Sequence, residues 1–75
     1  MERGQGFDFT LLKSRIKEIY NDEEEFAKAI PMKVETLRNK LNNKSEFTSN
    51  DIKRIVELLN INPKEIVHYF FIQLV

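Results

Sequence analysis

Asp22-Glu23-Glu24-Glu25-Phe26-Ala27-Lys28-Ala29-Ile30-Pro31-Met32-Lys33-Val34-Glu35-Thr36-Leu37-Arg38-Asn39-Lys40-Leu41 is the stretch on which the fold turns. Asp22 stands where a side-chain oxygen caps a helix, and Glu25 is spaced to complete a capping box. The acids of that first turn suit the positive end of a helix dipole. Pro31 has no amide hydrogen and biases Ile30 away from helical geometry. This helix is therefore expected to stop near Ile30, with a turn through Pro31-Met32-Lys33. Val34, Leu37 and Leu41 then recur at i, i+3 and i+7, which predicts a following helix. Its apolar stripe packs, while Glu35, Thr36, Arg38, Asn39 and Asn42 turn outward.

Upstream, Leu12, Ile16 and Ile19 repeat at helical spacing among Lys13, Arg15, Lys17 and Glu18, predicting an amphipathic first helix that ends near Tyr20-Asn21. Met1-Glu2-Arg3-Gly4-Gln5-Gly6 holds both glycines and no apolar period, so residues 1–6 read as a disordered tail or a cloning remnant, with the domain spanning 7–75. Downstream, Asn42-Asn43-Lys44-Ser45-Glu46 is rich in turn formers. Thr48 or Ser49 with Asp51 then marks a fourth helix carrying Ile52, Ile55, Val56 and Leu59. Asn62 as N-cap, Pro63 at the first helical position and Glu65 at the third open a short fifth helix with Ile66, Val67 and Phe70. The ending Tyr69-Phe70-Phe71-Ile72-Gln73-Leu74-Val75 fits a last helical turn or a short strand, and periodicity does not choose between them. The expected fold is all-α, with five helices in one domain.

Composition narrows the chemistry. A chain of 75 residues without cysteine and with His68 as its single imidazole builds neither a disulfide scaffold nor a zinc module, so helix packing must hold it. The missing cysteines fit a reducing cytoplasm, and no apolar run is long enough for a signal peptide or a membrane span. A cytoplasmic protein is expected. No Ser, Cys or Asp arrangement accompanies His68, and Gly4 and Gly6 make no phosphate-binding fingerprint. Consecutive carboxylates on a helix point in different directions, so Asp22 to Glu25 read as a solvated helix start rather than a metal site. Phe26 and Phe70 fall on apolar faces and belong to the core rather than to base stacking. No catalytic residue, cofactor, metal or small-molecule substrate is expected, and the chain does not read as an enzyme. Twelve Lys/Arg balance twelve Asp/Glu, so net charge gives nucleic-acid binding no support. The charge is nevertheless segregated: acid gathers at 22–25, whereas Lys33, Arg38, Lys40 and Lys44 face only Glu35 in the next segment.

Two short helices joined by a three-residue turn, the second with a polar outer face, form a unit that fits the major groove of DNA. Three runs carry a resemblance: Glu25-Phe26-Ala27-Lys28-Ala29-Ile30, Thr36-Leu37-Arg38-Asn39-Lys40-Leu41-Asn42-Asn43-Lys44, and Ile55-Val56-Glu57-Leu58-Leu59-Asn60-Ile61. With small Ala27 between helices two and three, the chain resembles the Cro and lambda-repressor-like (XRE-type) helix-turn-helix family from about Phe7 to Phe70. The resemblance implies a compact five-helix DNA-binding domain and a phage or prophage transcriptional regulator of repressor type. It places base contacts in double-stranded DNA on Lys33, Glu35, Thr36, Arg38 and Asn39, and phosphate contacts on Asn42, Lys44 and Lys28, with a recognition helix over about 33–42. Arg38 or Lys33 suits guanine O6 and N7, Asn39 suits adenine, and Glu35 suits a cytosine amino group. Val34, on the same segment, is assigned to the core rather than to a thymine methyl.

Two residues depart from the family pattern. Pro31 stands where a left-handed glycine is usual, and Glu23 stands where a polar residue approaches the DNA backbone. They favour an alternative: a protein-interaction module or antirepressor with the same fold that does not bind DNA and uses its acidic second-helix surface on a basic partner. The resemblance also implies a homodimer, for which Tyr69, Phe71, Ile72, Leu74 and Val75 supply apolar surface unless the tail folds back to complete the monomer core.

Overall fold

The computed structural model describes residues 6–73. The expectations for Met1 to Gln5 and for Leu74 and Val75 therefore lie outside the described residues. Among the described residues five α-helices run in order: α1 (Thr10–Tyr20), α2 (Glu23–Ala29), α3 (Val34–Leu41), α4 (Ser49–Leu59) and α5 (Ile66–Phe70), the last preceded by a 3₁₀ turn over Pro63–Glu65. The all-α, five-helix fold expected from sequence is the one observed. Among the described residues, β pairing is confined to one antiparallel bridge between Phe7 and Gln73. No helix among the described residues is long and apolar enough to cross a membrane.

Helix starts follow local chemistry. The Asp22 carboxylate accepts from the Glu25 amide at 2.9 Å, as the capping spacing predicts. The reciprocal half of the box does not form, because the Asp22 amide donates to the Tyr20 carbonyl and the Glu25 carboxylate turns to Lys28. Thr48 and Asp51 make both halves of a capping box at α4. At α1 the capping oxygen comes from Asp8, which accepts from the Thr10 amide at 2.9 Å and from the Thr10 hydroxyl at 2.6 Å.

Two arginines close helix ends across the molecule. Arg15 donates to the Leu59 carbonyl at the end of α4 through Nε (3.3 Å) and Nη2 (3.1 Å). Arg54 donates to the Ile30 carbonyl just past α2 at 3.2 Å. Carbonyls at a helix C-terminus have no intrahelical partner and carry partial negative charge, so a guanidinium satisfies both needs.

The core gathers Phe9, Leu12, Ile16, Phe26, Ala27, Ile30, Leu37, Leu41, Ile55, Leu59, Ile61 and Phe70, with no polar side chain buried among them. Ile19, expected on the packed stripe of α1, is exposed, and so is Val67 of α5. Each lies at the edge of its helix's apolar arc, where no neighbouring element covers it. Val34 is half-buried against the core, in line with its place on the stripe.

The helical start read at Asn62 and Pro63 is present, but it opens as a 3₁₀ turn over Pro63–Glu65 that leads directly into α5. Asn62 does cap, accepting from the Lys64 amide at 2.9 Å, but the first turn closes as a 3₁₀ turn, with the Glu65 amide on the Asn62 carbonyl at 2.7 Å. The tail is divided in its roles. Phe70 is buried at the end of α5, Tyr69 is half-buried, and Phe71 and Ile72 are exposed before Gln73 pairs with Phe7.

Candidate functional site

The face to which the sequence assigned function is built by α2 and α3. Ala29 and Val34 are separated by Ile30-Pro31-Met32-Lys33, with a cis Ile30–Pro31 peptide, and the Met32 amide returns to the Ala27 carbonyl at 2.7 Å. None of residues 30–33 takes a positive φ, so this turn is not built on a left-handed residue. Phe26, Ala27 and Leu37 are almost wholly excluded from solvent. Ala27 has no side chain beyond Cβ and is buried with them, leaving no room for a larger side chain at that point.

The assigned base-contact positions come together on this face, though not equally. Lys33, in extended geometry at the N-cap of α3, is exposed, as are Glu35, Thr36 and Arg38; Asn39 is half-buried. Of the assigned phosphate-contact positions, Asn42, Lys44 and Lys28 are all exposed. Arg38 reaches back across the helix pair, and its Nε donates to Glu23 at 3.0 Å. Lys28 lies 3.3 Å from Glu25. Lys40, counted with the basic segment by sequence, turns away to Asp51 of α4 in a pair shielded from water.

Asp51 is the electrostatic anchor beneath this face. Burial pushes its carboxyl up, but hydrogen bonds from Lys40 and Thr48, together with the Lys40 charge, outweigh that and hold its pKa below the ordinary 3.8. Its oxygens thus serve the α4 cap and the exit of α3 at once.

A residue passed over as a turn former fixes the exit of α3. Asn43, at φ 64°, accepts from the Phe7 amide through Oδ1 and donates to the Phe7 carbonyl through Nδ2, both at 2.9 Å. Its amide side chain thus imitates a paired backbone. Gly6, grouped by sequence with the tail, belongs to this clasp: at φ 117° a Cβ would sit 2.7 Å from Asn43 Cγ. The Asp8 amide donates to the Ile72 carbonyl at 2.6 Å, so both ends of the described chain meet at the end of α3. An Asn-Asn pair after a helix signals a left-handed residue, but nothing local names a partner 36 residues away.

No curated protein matches the chain. Among solved structures, it is similar to the modulator of repression (MOR) of the temperate bacteriophage TP901-1 from Lactococcus lactis. The two share 30% identity over 92% of this chain and 93% of that one, with a TM-score of 0.78. A match of this extent joins sequence to fold over nearly the whole chain. A family model described as a protein of unknown function (DUF739) matches residues 5–73. The chain belongs to the DUF739 family.

Proposed function

We propose that the chain is a regulator of phage repression that acts by binding a repressor protein through the exposed faces of α2 and α3, without reading an operator itself. The observation that carries this reading is the state of the basic side chains on the helix pair. Lys40 is engaged away from the face by Asp51 in a shielded pair, and Arg38 and Lys28 lie beside Glu23 and Glu25 in solvent-exposed pairs, so each remaining cation of the helix pair has an acid next to it. Affinity for DNA comes largely from cations that displace counterions from phosphates. Here Lys33 and Lys44 stand against exposed Glu24 and Glu35, so the face carries no basic excess. Such a mixed surface suits a protein whose own exposed groups are basic, as a DNA-binding surface is. Similarity to a modulator of repression supports a protein target.

The second reading is direct, sequence-specific binding of double-stranded DNA, with α3 in the major groove. One observation favours it: the Arg38–Glu23 pair is open to solvent, with side chains 52% and 31% exposed. A surface pair of this kind is worth only about 0–1 kcal/mol, so phosphate or guanine can displace Glu23. Lys33, Glu35, Thr36, Arg38 and Asn39 would then read bases, and Lys28, Asn42 and Lys44 would hold phosphates.

One pair of measurements separates the readings. In the first, fluorescence anisotropy follows a phage repressor on its labelled operator while the chain is added. The expected outcome is a shift in repressor occupancy that Glu24→Lys with Glu35→Lys weakens at least about tenfold, or about 1.4 kcal/mol. In the second, the chain alone selects from a pool of random duplex DNA at low and near-physiological salt. An enriched palindromic site, lost in Arg38→Glu, would replace the protein-contact reading with the DNA one.

A further inference from the structure

We propose that the aromatic pocket between the exit of α3 and the end of α5 takes an arginine side chain from a partner protein. Phe7, Phe9, Phe47, Phe70 and Phe71, drawn from three separate parts of the chain, wall a cavity of about 590 Å³. Phe47 meets Phe9 at 5.2 Å between ring centroids and Phe70 at 5.5 Å, both edge to face, and Phe71 meets Phe7 in the same way at 5.7 Å. Phe9 and Phe70 are buried with the core, whereas Phe71 is 46% exposed and open to a ligand. Asn43 also lines the pocket, and its two hydrogen bonds to the Phe7 backbone fix that wall before anything binds.

The electrostatics of the walls select a cation. Glu46 lines the pocket, is exposed, and is in no ion pair with another described residue. Among the described residues no Lys, Arg or His lines it, and Lys44, two residues before Glu46, stays outside the lining. Both α3 and α5 end at the pocket, the first through Asn43 and the second through Phe70 and Phe71, and the last carbonyls of a helix carry partial negative charge. The positive end of α4 lies beside it, but the capping box of Thr48 and Asp51 answers the first amides there. Ring faces are negative as well. A phosphate is therefore repelled, and a neutral apolar group makes no use of Glu46. Arginine matches every wall at once, because its planar guanidinium stacks on aromatic faces, forks onto a carboxylate and is more weakly hydrated than an ammonium. The pocket deepens the reading above by giving the repressor contact one chemical anchor, and rests on that reading only for the identity of the partner.

An amide-resolved NMR titration of the full chain at constant ionic strength is the test. The probe is a capped Gly-Ser-Arg-Ser-Gly peptide, with citrulline and norleucine at the central position as uncharged controls. The arginine peptide should shift the amides of Asn43, Ser45, Glu46, Phe71 and Gln73 and saturate with a Kd of about 1–10 mM, the range of a single side-chain contact. Citrulline, which keeps the shape and loses the charge, should bind at least about fivefold more weakly. Glu46→Gln should weaken the arginine peptide about threefold, and so should Phe71→Leu, which keeps an apolar side chain and removes the ring. Both positions are exposed, so the rest of the spectrum should match the wild type. Equal binding of the citrulline or norleucine peptide overturns the proposal. So does Glu46→Gln without effect, a titration without shifts at the pocket, or shifts centred on Glu23, Glu24 and Glu25, which would assign the cation to the acidic start of α2. A chain that takes the arginine peptide here yet leaves repressor occupancy of the operator unchanged overturns the function proposed above and upholds the pocket.

Discussion

At the residue scale, Asp51 links a helix cap to an ion pair, and its titration should be visible in the stability of the molecule. Its carboxyl is held below its ordinary value in the folded chain, so the unfolded chain binds that proton more readily. The stabilisation is therefore complete at neutral pH and is withdrawn as pH falls from roughly 4 through the folded value. Asp8 shifts in the same direction because the Thr10 hydroxyl and amide both donate to it. The thermal midpoint should fall between roughly pH 5 and pH 2. Asp51→Asn should lower it at pH 7 and shrink, but not abolish, the acid decline, since Asp8 still contributes. A decline of unchanged size in that variant would remove Asp51 from the account. The cap at Asp22 was legible in sequence, and that of α4 was narrowed to Thr48 or Ser49, because donor and acceptor lie within one turn. The Asn43–Phe7 clasp was not, because its partners meet only when both chain ends fold onto α3.

At the scale of elements, boundaries follow the first and last turns. Thr48 accepts from the Asp51 amide at 3.0 Å, and Asp51 accepts from the Thr48 amide at 2.9 Å. Thr48→Ala should destabilise the chain by about 1 kcal/mol, within the usual range of about 0.5–2 for lost N-caps. The shift should appear in the urea midpoint with the slope of the transition unchanged. Asn62 shows where a correct local signal gives an incomplete result. The cap and the proline start a helical turn as read, yet that turn closes i to i+3, and α-geometry begins only at Ile66. Composition marks a start and leaves the hydrogen-bond pattern of a three-residue piece open.

At the scale of the whole molecule, the α2–α3 pair is held as one body from beneath. Ala27 of α2 is 1% exposed, and Arg54 and the Lys40–Asp51 pair tie both helices to α4. Ala27→Leu adds volume that this site cannot take without displacing a helix, and should cost about 1–3 kcal/mol. Thermal denaturation monitored by circular dichroism measures the loss. The same variant should weaken macromolecule binding by the α2–α3 face beyond what lost stability explains, because the exposed side chains ride on the helix that moves. Wild-type stability in Ala27→Leu would mean that the helices are farther apart than their burial indicates.

The sequence by itself determined the all-α class, five helices, the break at Pro31, the cap at Asp22, a second at Thr48 or Ser49 and most of the core, since each rests on spacing within a few residues. It also set Glu35, Thr36, Arg38 and Asn39 on one helix with Lys33 at its start, because helical period alone decides which positions share a face. Tertiary structure decided which of those side chains are engaged. Arg38 meets Glu23 across the turn, Lys40 leaves for Asp51, and Asn43 binds the backbone at Phe7. It also left Val67 and Phe71 in the open while burying Phe70. A charge or an apolar side chain acquires its role from its neighbour in space, and packing brings that neighbour from another helix or from the far end of the chain.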